Sequence, residues 1–283
     1  MKKTSWSLNK TEVRLLQTLK GRYLPLSELA SELSKSANRV SETVNHLETM
    51  GLVRKEKKGI YKLVFIPKTS LGESLSLLIT EQPMLNLETL FSGSGLVMLP
   101  LLLKPGYSAK ELTERTSLST RTVKGLLPRW KRMGVLLQEK TNYQLNPRFK
   151  LLAEFLRKFN EHKNLSIMKE NYPEAVIVWQ WRDEFLFSID KTLNDPNALP
   201  AGLTRLDELN TSLAHTQQYY YYGYADTEVS EEEAFMQALY VDSYNPRIKN
   251  LISERLRELD SATFFNYAGK YAKKTAIKDL VKK

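Results

Sequence analysis

The side chains in this sequence best placed to do chemistry are cations and amides gathered in its first half. Asn38 and Arg39 stand together, with Lys35, Ser36, Glu42, Thr43 and His46 spaced to share the exposed side of one helix. Arginine can donate twice to guanine and asparagine can pair with adenine's donor and acceptor, whereas serine and threonine suit phosphates and mixed base edges. A cationic cluster follows at Arg54, Lys55, Lys57 and Lys58, and the same types recur at Ser119, Thr120, Arg121, Thr122, Lys124, Arg129, Lys131, Arg132 and Lys140. The second set looks better suited to backbone contact. Lys and Arg attract phosphate oxygens while condensed counterions are released, so the chemistry implied is docking on a nucleic-acid backbone, with Asn38 and Arg39 reading base edges. Glu42 fits two roles, accepting from cytosine or pairing with Arg39 on its own helix face. The plainer alternative for all these residues is a solvated charged surface.

Charge distribution favours the nucleic-acid reading. Residues 1–150 carry +13 and residues 151–283 carry −3, within a whole-chain charge of +10, and Lys2, Lys3 and Lys10 add to the basic end. Residues 171–240 sum to −9, so that portion should avoid DNA and suits a basic partner or the basic half of its own chain. Enzyme chemistry finds little support. There is no glycine-rich phosphate loop and no HExxH, and His46, His162 and His215 fall on separate elements. Cysteine is absent, which excludes disulfides, thiolate catalysis and cysteine-held metals and suits a reducing cytoplasm. Asp183 with Glu184, or Asp207 with Glu208, are the acid pairs nearest to a metal site, but strand neighbours point to opposite faces and solvated surface is the better reading. The sequence thus predicts a non-enzyme with no cofactor and no metal. The N-terminus lacks the apolar run of a signal peptide, and the longest apolar run, Gly95 to Leu103, is interrupted by Pro100 and falls short of the roughly 20 residues a membrane span needs. A soluble, cytoplasmic protein without membrane contact is expected.

The elements that must hold these side chains are written twice. The apolar pattern from Ser27 to Val53 recurs 83 positions later without a gap, with Leu29, Ser36, Val40, Val44, Leu47, Met50 and Gly51 matched by Leu112, Ser119, Val123, Leu127, Trp130, Met133 and Gly134. A repeat that keeps its buried spacing while its surface changes implies two copies of one supersecondary unit. In the first copy a helix around Thr11 to Lys20 precedes a short helix opened by Pro25, with Leu26, Leu29, Ala30 and Leu33 as its apolar stripe. A second helix places Val40, Val44 and Leu47 on one face and stops at Gly51. Two β-prone runs around a charged turn that contains glycine, Arg54 to Lys58 with Gly59, then read as a hairpin. The second copy opens with a capping box, Ser108 with Glu111, continues with a helix from Ser119 towards Met133, and closes with strands Val135 to Glu139 and Tyr143 to Leu145 around the tip Lys140, Thr141 and Asn142. Pro128 inside that helix removes a backbone donor and crowds the Lys124 carbonyl, at about 3 kcal/mol if the helix stays straight. A kink near Lys124 or an early helix end is therefore expected, and a second unit that reads DNA more weakly than the first.

The string ELASELSKSANRVSETVNHLETMGLVRKEKKGIYKL and its looser copy resemble the winged helix-turn-helix transcription regulators of the MarR and ArsR type found in bacteria and archaea. The resemblance covers residues 8–66 well and 88–147 loosely. It implies a recognition helix in the major groove of double-stranded DNA, wings on the phosphates, and transcription regulation as the function. Winged helices also serve replication initiators and segregation factors, which is the alternative function, and a nucleic-acid-processing enzyme is a third.

The fold class that follows is mainly α with α+β: two winged helix-turn-helix units, then a small α+β and helical C-terminal domain. The boundaries are 1–67 and 88–147 for the two units, 68–87 for a linker with a short helix, 148–170 for a connecting amphipathic helix, and 171–283 for the C-terminal domain. Pro147 opens the connecting helix, whose Phe149, Leu152, Phe155, Leu156 and Phe159 suit core packing or, alternatively, a homodimer seam. Ala175 to Trp181, Glu184 to Ile189 and Gln218 to Tyr224 read as strands, with a short helix near Thr204 to Leu213 and later helices from Ser230 and Pro246 to the chain end. In the run Tyr219 to Tyr222, alternation puts two rings on each face for cross-strand packing. The sharper alternative is an aromatic wall of Trp179, Trp181, Tyr220 and Tyr222, near Tyr224, for a small ligand or a protein partner.

Overall fold

The computed structural model describes residues 6–59, 61–103, 106–209, 216–223, 228–255 and 261–271, and it divides into two units, Met1–Lys163 and Asn164–Lys283. Lys2, Lys3, Ile60, His215, Tyr224 and the ends of the helices expected to reach Leu213 and Leu259 lie outside the described residues. The chain is mainly helical, with three small antiparallel sheets among the described residues.

The first unit opens with a capping box: the Asn9 side chain accepts from the Glu12 N–H at 3.0 Å while the Asn9 N–H donates to the Glu12 carboxylate at 2.6 Å. It starts α1 (Lys10–Thr18), and β1 (Leu24–Pro25) runs directly into α2 (Leu26–Glu32). A left-handed Ser34 turns the chain, Ser36 caps α3 (Ala37–Thr49), and the hairpin β2 (Arg54–Lys58) and β3 (Tyr61–Phe65) follows. These three strands form a sheet of order β1-β3-β2.

The expected charged turn is itself a strand. Arg54 to Lys58 pairs along its whole length with Phe65 to Tyr61, and the chain reverses at Gly59, whose φ is +62°. Lysines on an edge strand are unremarkable physically, because charge there blocks pairing with another chain.

The linker between the copies contains a full helix, α4 (Ser70–Glu81), capped by Thr69 and burying Leu71, Leu75, Leu78 and Ile79. Where the first copy has one leading helix, the second has three short pieces, α5 (Leu87–Phe91), α6 (Gly95–Met98) and a 3-10 turn (Leu99–Leu102), separated by Gly93 and carrying Pro100. From there the order repeats as β4 (Tyr107–Ser108), α7 (Ala109–Thr116), α8 (Thr120–Arg132), β5 (Leu136–Glu139) and β6 (Asn142–Leu145), in a sheet of order β4-β6-β5. Ser108 and Glu111 form the capping box at α7. The offset of the sequence repeat is visible in the backbone: Ser34 and Ser117 are left-handed at φ 51° and 54°, and Gly51 and Gly134 both stand at φ +70°.

Pro128 does not end α8, which runs unbroken to Arg132. Val123, Leu127 and Trp130 are buried on its inner face, and the Trp130 indole donates to the Thr89 carbonyl at 3.4 Å, so tertiary packing outweighs the local cost of the proline. α9 (Lys150–Asn171) begins three residues later than Pro147 predicts. Its Leu152, Phe155, Leu156 and Phe159 are buried in the core they share with α3 and α8 residues, so this face is core packing and is not open as a dimer seam.

The second unit is built on β7 (Val176–Trp181), β8 (Glu184–Ile189), β9 (Leu199–Pro200) and, after α10 (Gly202–Glu208), β10 (Gln218–Tyr222), in the order β7-β8-β10-β9. α11 (Glu231–Val241), capped by Ser230, α12 (Pro246–Arg255) and α13 (Ser261–Lys270) complete it. Trp179, Leu186 and Tyr221 pack with Phe235, Ile248 and Phe264 on one side of the sheet, and Phe185, Phe187 and Tyr220 pack with Met168 and Tyr172 on the other.

A buried ion cluster ties α13 into this unit. The Lys270 ammonium lies 2.9 Å from Glu184 and 2.8 Å from Glu233, donates to the Tyr221 hydroxyl at 2.9 Å, and sits over the Trp179 ring. Burial pulls the Lys270 pKa down, but the two carboxylates pull it further up, so it stands above the ordinary lysine value. Burial likewise pushes the Tyr221 and Tyr271 phenols well up. A raised pKa stabilises the fold at every pH below the unfolded lysine value of about 10.4, and that stabilisation fades only as the pH climbs through the folded value.

A Cβ at Gly134 meets nothing within 4 Å, whereas one at Gly51 would stand 2.3 Å from the His162 ring. Gly134→Ala should cost about 1–2 kcal/mol for the left-handed backbone alone, and Gly51→Ala more, as read from urea midpoints; equal costs would contradict the contact. Lys270→Met, which takes the shared cation away from two buried carboxylates, should cost about 3–5 kcal/mol at neutral pH, and adding Glu233→Gln should recover part of it.

Candidate nucleic-acid interface

Two capped helices and two hairpins of the first unit carry most of the candidate residues. In α3 the Ser36 hydroxyl accepts from the Arg39 N–H at 3.4 Å, which uses Ser36 as a helix cap. Lys35, Asn38, Arg39 and Glu42 are exposed beside it. The Arg39 guanidinium donates to Glu42 at 3.0 Å, with both side chains more than 60% exposed. Such a pair is screened by water and salt and opens readily for another acceptor.

Three expected contact residues of the first copy are committed elsewhere. Thr43 is buried and its hydroxyl donates to the Arg39 carbonyl at 2.8 Å, because position 43 has turned from the solvent face towards Val40 and Val44. His46 is half-buried, its Nδ1 2.7 Å from the Glu12 carboxylate that also caps α1, so it ties α3 to α1. Lys55 donates to Asn45 at 2.7 Å and lies 2.7 Å from Glu48, fixing β2 against α3.

The outer part of that hairpin is different. Register sets Lys57 directly opposite Lys62 and Lys58 opposite Tyr61, with all four exposed. Like charges facing across a ladder destabilise it, and among the described residues none of these lysines has an ion-pair partner. Lys62 and Tyr61 are not singled out by the sequence, because a charged turn running from Arg54 through Gly59 leaves no strand for them to face. A reversal at Gly59 is the signal that would have set them opposite the lysines.

In α8 the Ser119 hydroxyl accepts from the Thr122 N–H at 3.2 Å and lies 2.9 Å from the Thr122 hydroxyl, again a cap. Thr120, Arg121, Lys124 and Arg132 are exposed. Arg129 donates to the Thr89 hydroxyl at 3.1 Å and Lys131 to the Gln138 side chain at 2.8 Å, so these two brace the helix against its surroundings. Lys140 occupies the tip of the second hairpin at φ 54°.

The aromatic wall is not formed. Trp179 and Trp181 pack on one face of the second unit's sheet, Trp179 tilted against Tyr271 at 4.5 Å. Tyr220 and Tyr222 lie on the other, stacked on Phe187 at 5.8 Å and Phe185 at 4.8 Å. The period of two along β10 divides the rings between faces, and the Tyr220 hydroxyl accepts from the Leu193 N–H at 2.8 Å. Glu184 and Glu208, considered for metal binding, are paired with Lys270 and Arg205. Lys270 lies far along the chain from its partners, and no local spacing announces it.

The family HVO_A0114 matches residues 7–71, from the chain just before α1 to the first turn of α4. No curated protein matches the chain. Among the described residues no helix is long and apolar enough to cross a membrane.

Removing either cap should weaken its helix start. Ser36→Ala and Ser119→Ala should each lower stability by about 1 kcal/mol, seen as a lower urea midpoint with unchanged slope; no change in either would mean that the hydroxyl is free for another task.

Proposed function

We propose that this chain is a sequence-specific double-stranded DNA-binding regulator of transcription, acting in the cytoplasm and built on tandem winged helix-turn-helix modules. The observation that carries the reading is the duplicated order strand, helix, capped helix and hairpin, with sheets of order β1-β3-β2 and β4-β6-β5 and exposed cations on the second helix and hairpin of each copy. This is the arrangement in which a winged-helix protein lays its recognition helix in the major groove and its hairpin on the phosphates. The net charge of +13 over residues 1–150 supports it.

In this reading α3 enters a major groove through its first turns, where Asn38 and Arg39 stand clear of the core and reach base edges. Arg39 gives up an exposed carboxylate to do so. Lys57, Lys58 and Lys62 meet phosphates, which also relieves the repulsion between Lys57 and Lys62. With both modules in one chain, binding as an internal pseudo-dimer would cover half-sites about one helical turn apart. The acidic second unit, whose aromatics are spent on its own two cores, serves assembly or sensing rather than DNA contact.

Selection of bound sequences from random duplexes at stated salt tests this. A defined consensus is expected, with Asn38→Ala and Arg39→Ala each relaxing preference by about 1–3 kcal/mol at separate positions. Lys57→Ala should weaken all sequences alike and flatten the salt dependence by about one unit. Recovery of no consensus, or equal losses for Arg39→Ala on selected and random DNA, would refute the sequence-reading role.

A further inference from the structure

We propose that α8 is the principal helix by which this chain docks on duplex DNA, bridging the phosphates on both sides of one major groove. The proposal rests on the DNA-binding reading above and concerns a module outside the stretch that the family match covers. The sequence alone favours α3, because a proline inside its counterpart predicts a kink or an early helix end. The structure reverses the comparison.

Arg121, Lys124, Gly125, Pro128 and Arg132 recur at the three-, four-, seven- and eleven-residue spacings that fall on one side of a helix. All five are exposed, and Val123, Leu127 and Trp130 are buried on the opposite side. α8 carries five cations and no acid. Among the described residues, Arg121, Lys124 and Arg132 have no ion pair, and the other two cations hold the helix in place through Thr89 and Gln138. In α3, by contrast, Glu42 and Glu48 outnumber the single arginine, and that arginine is paired.

The middle of the exposed face is bare. A Cβ at Gly125 would meet nothing within 4 Å, and Pro128 adds only a short ring. Both residues are poor choices for helix stability, Gly by about 1 kcal/mol and Pro by about 3 kcal/mol. What they leave is a flat strip with cations at each end. Arg121 and Arg132 are separated by roughly 16 Å of helix axis, enough to straddle a major groove of about 12 Å. The end cations can therefore reach phosphates of both strands while the strip lies against base edges without a long side chain to hold it off. The geometry favours B-form DNA, since the major groove of duplex RNA is too deep and narrow to admit such a face.

The test uses the full chain, a labelled mixed-sequence DNA duplex and a matching RNA duplex, with affinity measured across a salt series. The triple variant Arg121→Ala/Lys124→Ala/Arg132→Ala should weaken DNA binding at least about tenfold at low salt and flatten the log-log salt slope by about 2–3. Gly125→Gln separates docking from folding. Glutamine is a better helix former in open space, so the thermal midpoint should hold or rise, while bulk on the strip should weaken binding at least about tenfold. Retention of parental affinity by both variants, with losses confined to changes in α3 and β2, would overturn this assignment and leave the DNA-binding function standing. Tighter binding to the RNA duplex would also overturn it. If the unaltered chain bound neither duplex, the functional reading itself would fall.

Discussion

Burial of one stripe on each capped helix is the constraint from which the rest of the first unit follows. Val40, Val44 and Leu47 in α3, and Val123, Leu127 and Trp130 in α8, are removed from water almost completely. Fully burying side chains of this kind is worth about 1.5–3 kcal/mol each, more than any surface pair on the same helices. Once those stripes are fixed, the rotation of each helix is fixed, and with it which residues face outward. Asn38 and Arg39, and likewise Arg121, Lys124 and Arg132, are exposed because their neighbours are buried. The same rotation takes Thr43 into the core and lays His46 against Glu12.

Electrostatics divides the exposed residues into those spent on the fold and those kept in reserve. Lys55, Arg129 and Lys131 brace strands and helices through Glu48, Thr89 and Gln138. Lys57, Lys58, Lys62, Arg121, Lys124 and Arg132 gain nothing comparable, and the facing pair Lys57 and Lys62 works against its own hairpin. A protein that carries unpaired cations on α8 and on two hairpins retains a cost in self-repulsion that an anionic partner would remove. The second unit has the opposite economy. Its half-buried Lys270 is surrounded by two carboxylates and several aromatic rings, and its net charge over residues 171–240 is −9.

Much of this was legible in the sequence, because helix periodicity, caps and turn glycines act locally. The repeat offset, the capping box at Ser108, the stop at Gly51 with its copy at Gly134 and the alternation of Tyr219 to Tyr222 all correspond to local geometry, whereas Ser36 and Ser119, read as nucleic-acid contacts, are helix caps. What was misjudged depended on distant contacts or on register. Pro128 looks like a helix end until Trp130 is seen anchored to Thr89. Arg54 to Lys58 looks like a turn because five consecutive polar residues rarely form a strand, yet the reversal at Gly59 makes them an edge strand. His46 looks exposed until Glu12 is brought to it, and Lys270 meets Glu184 and Glu233 only through the tertiary fold. The proposed contact surface itself was half visible: residue types gave the chemistry, but which cations are free of partners required the structure.

In the proposed mode of binding, nucleic acid meets the chain on the outward sides of α3 and α8 and on their hairpins. Hydrogen-deuterium exchange of the full chain, followed peptide by peptide with and without saturating duplex DNA, addresses it most directly. Added protection is expected over α3, β2–β3, α8 and β5–β6, with β7–β10 and α10–α13 unchanged. Protection confined to the second unit, or an exchange pattern that DNA leaves untouched throughout, would contradict it.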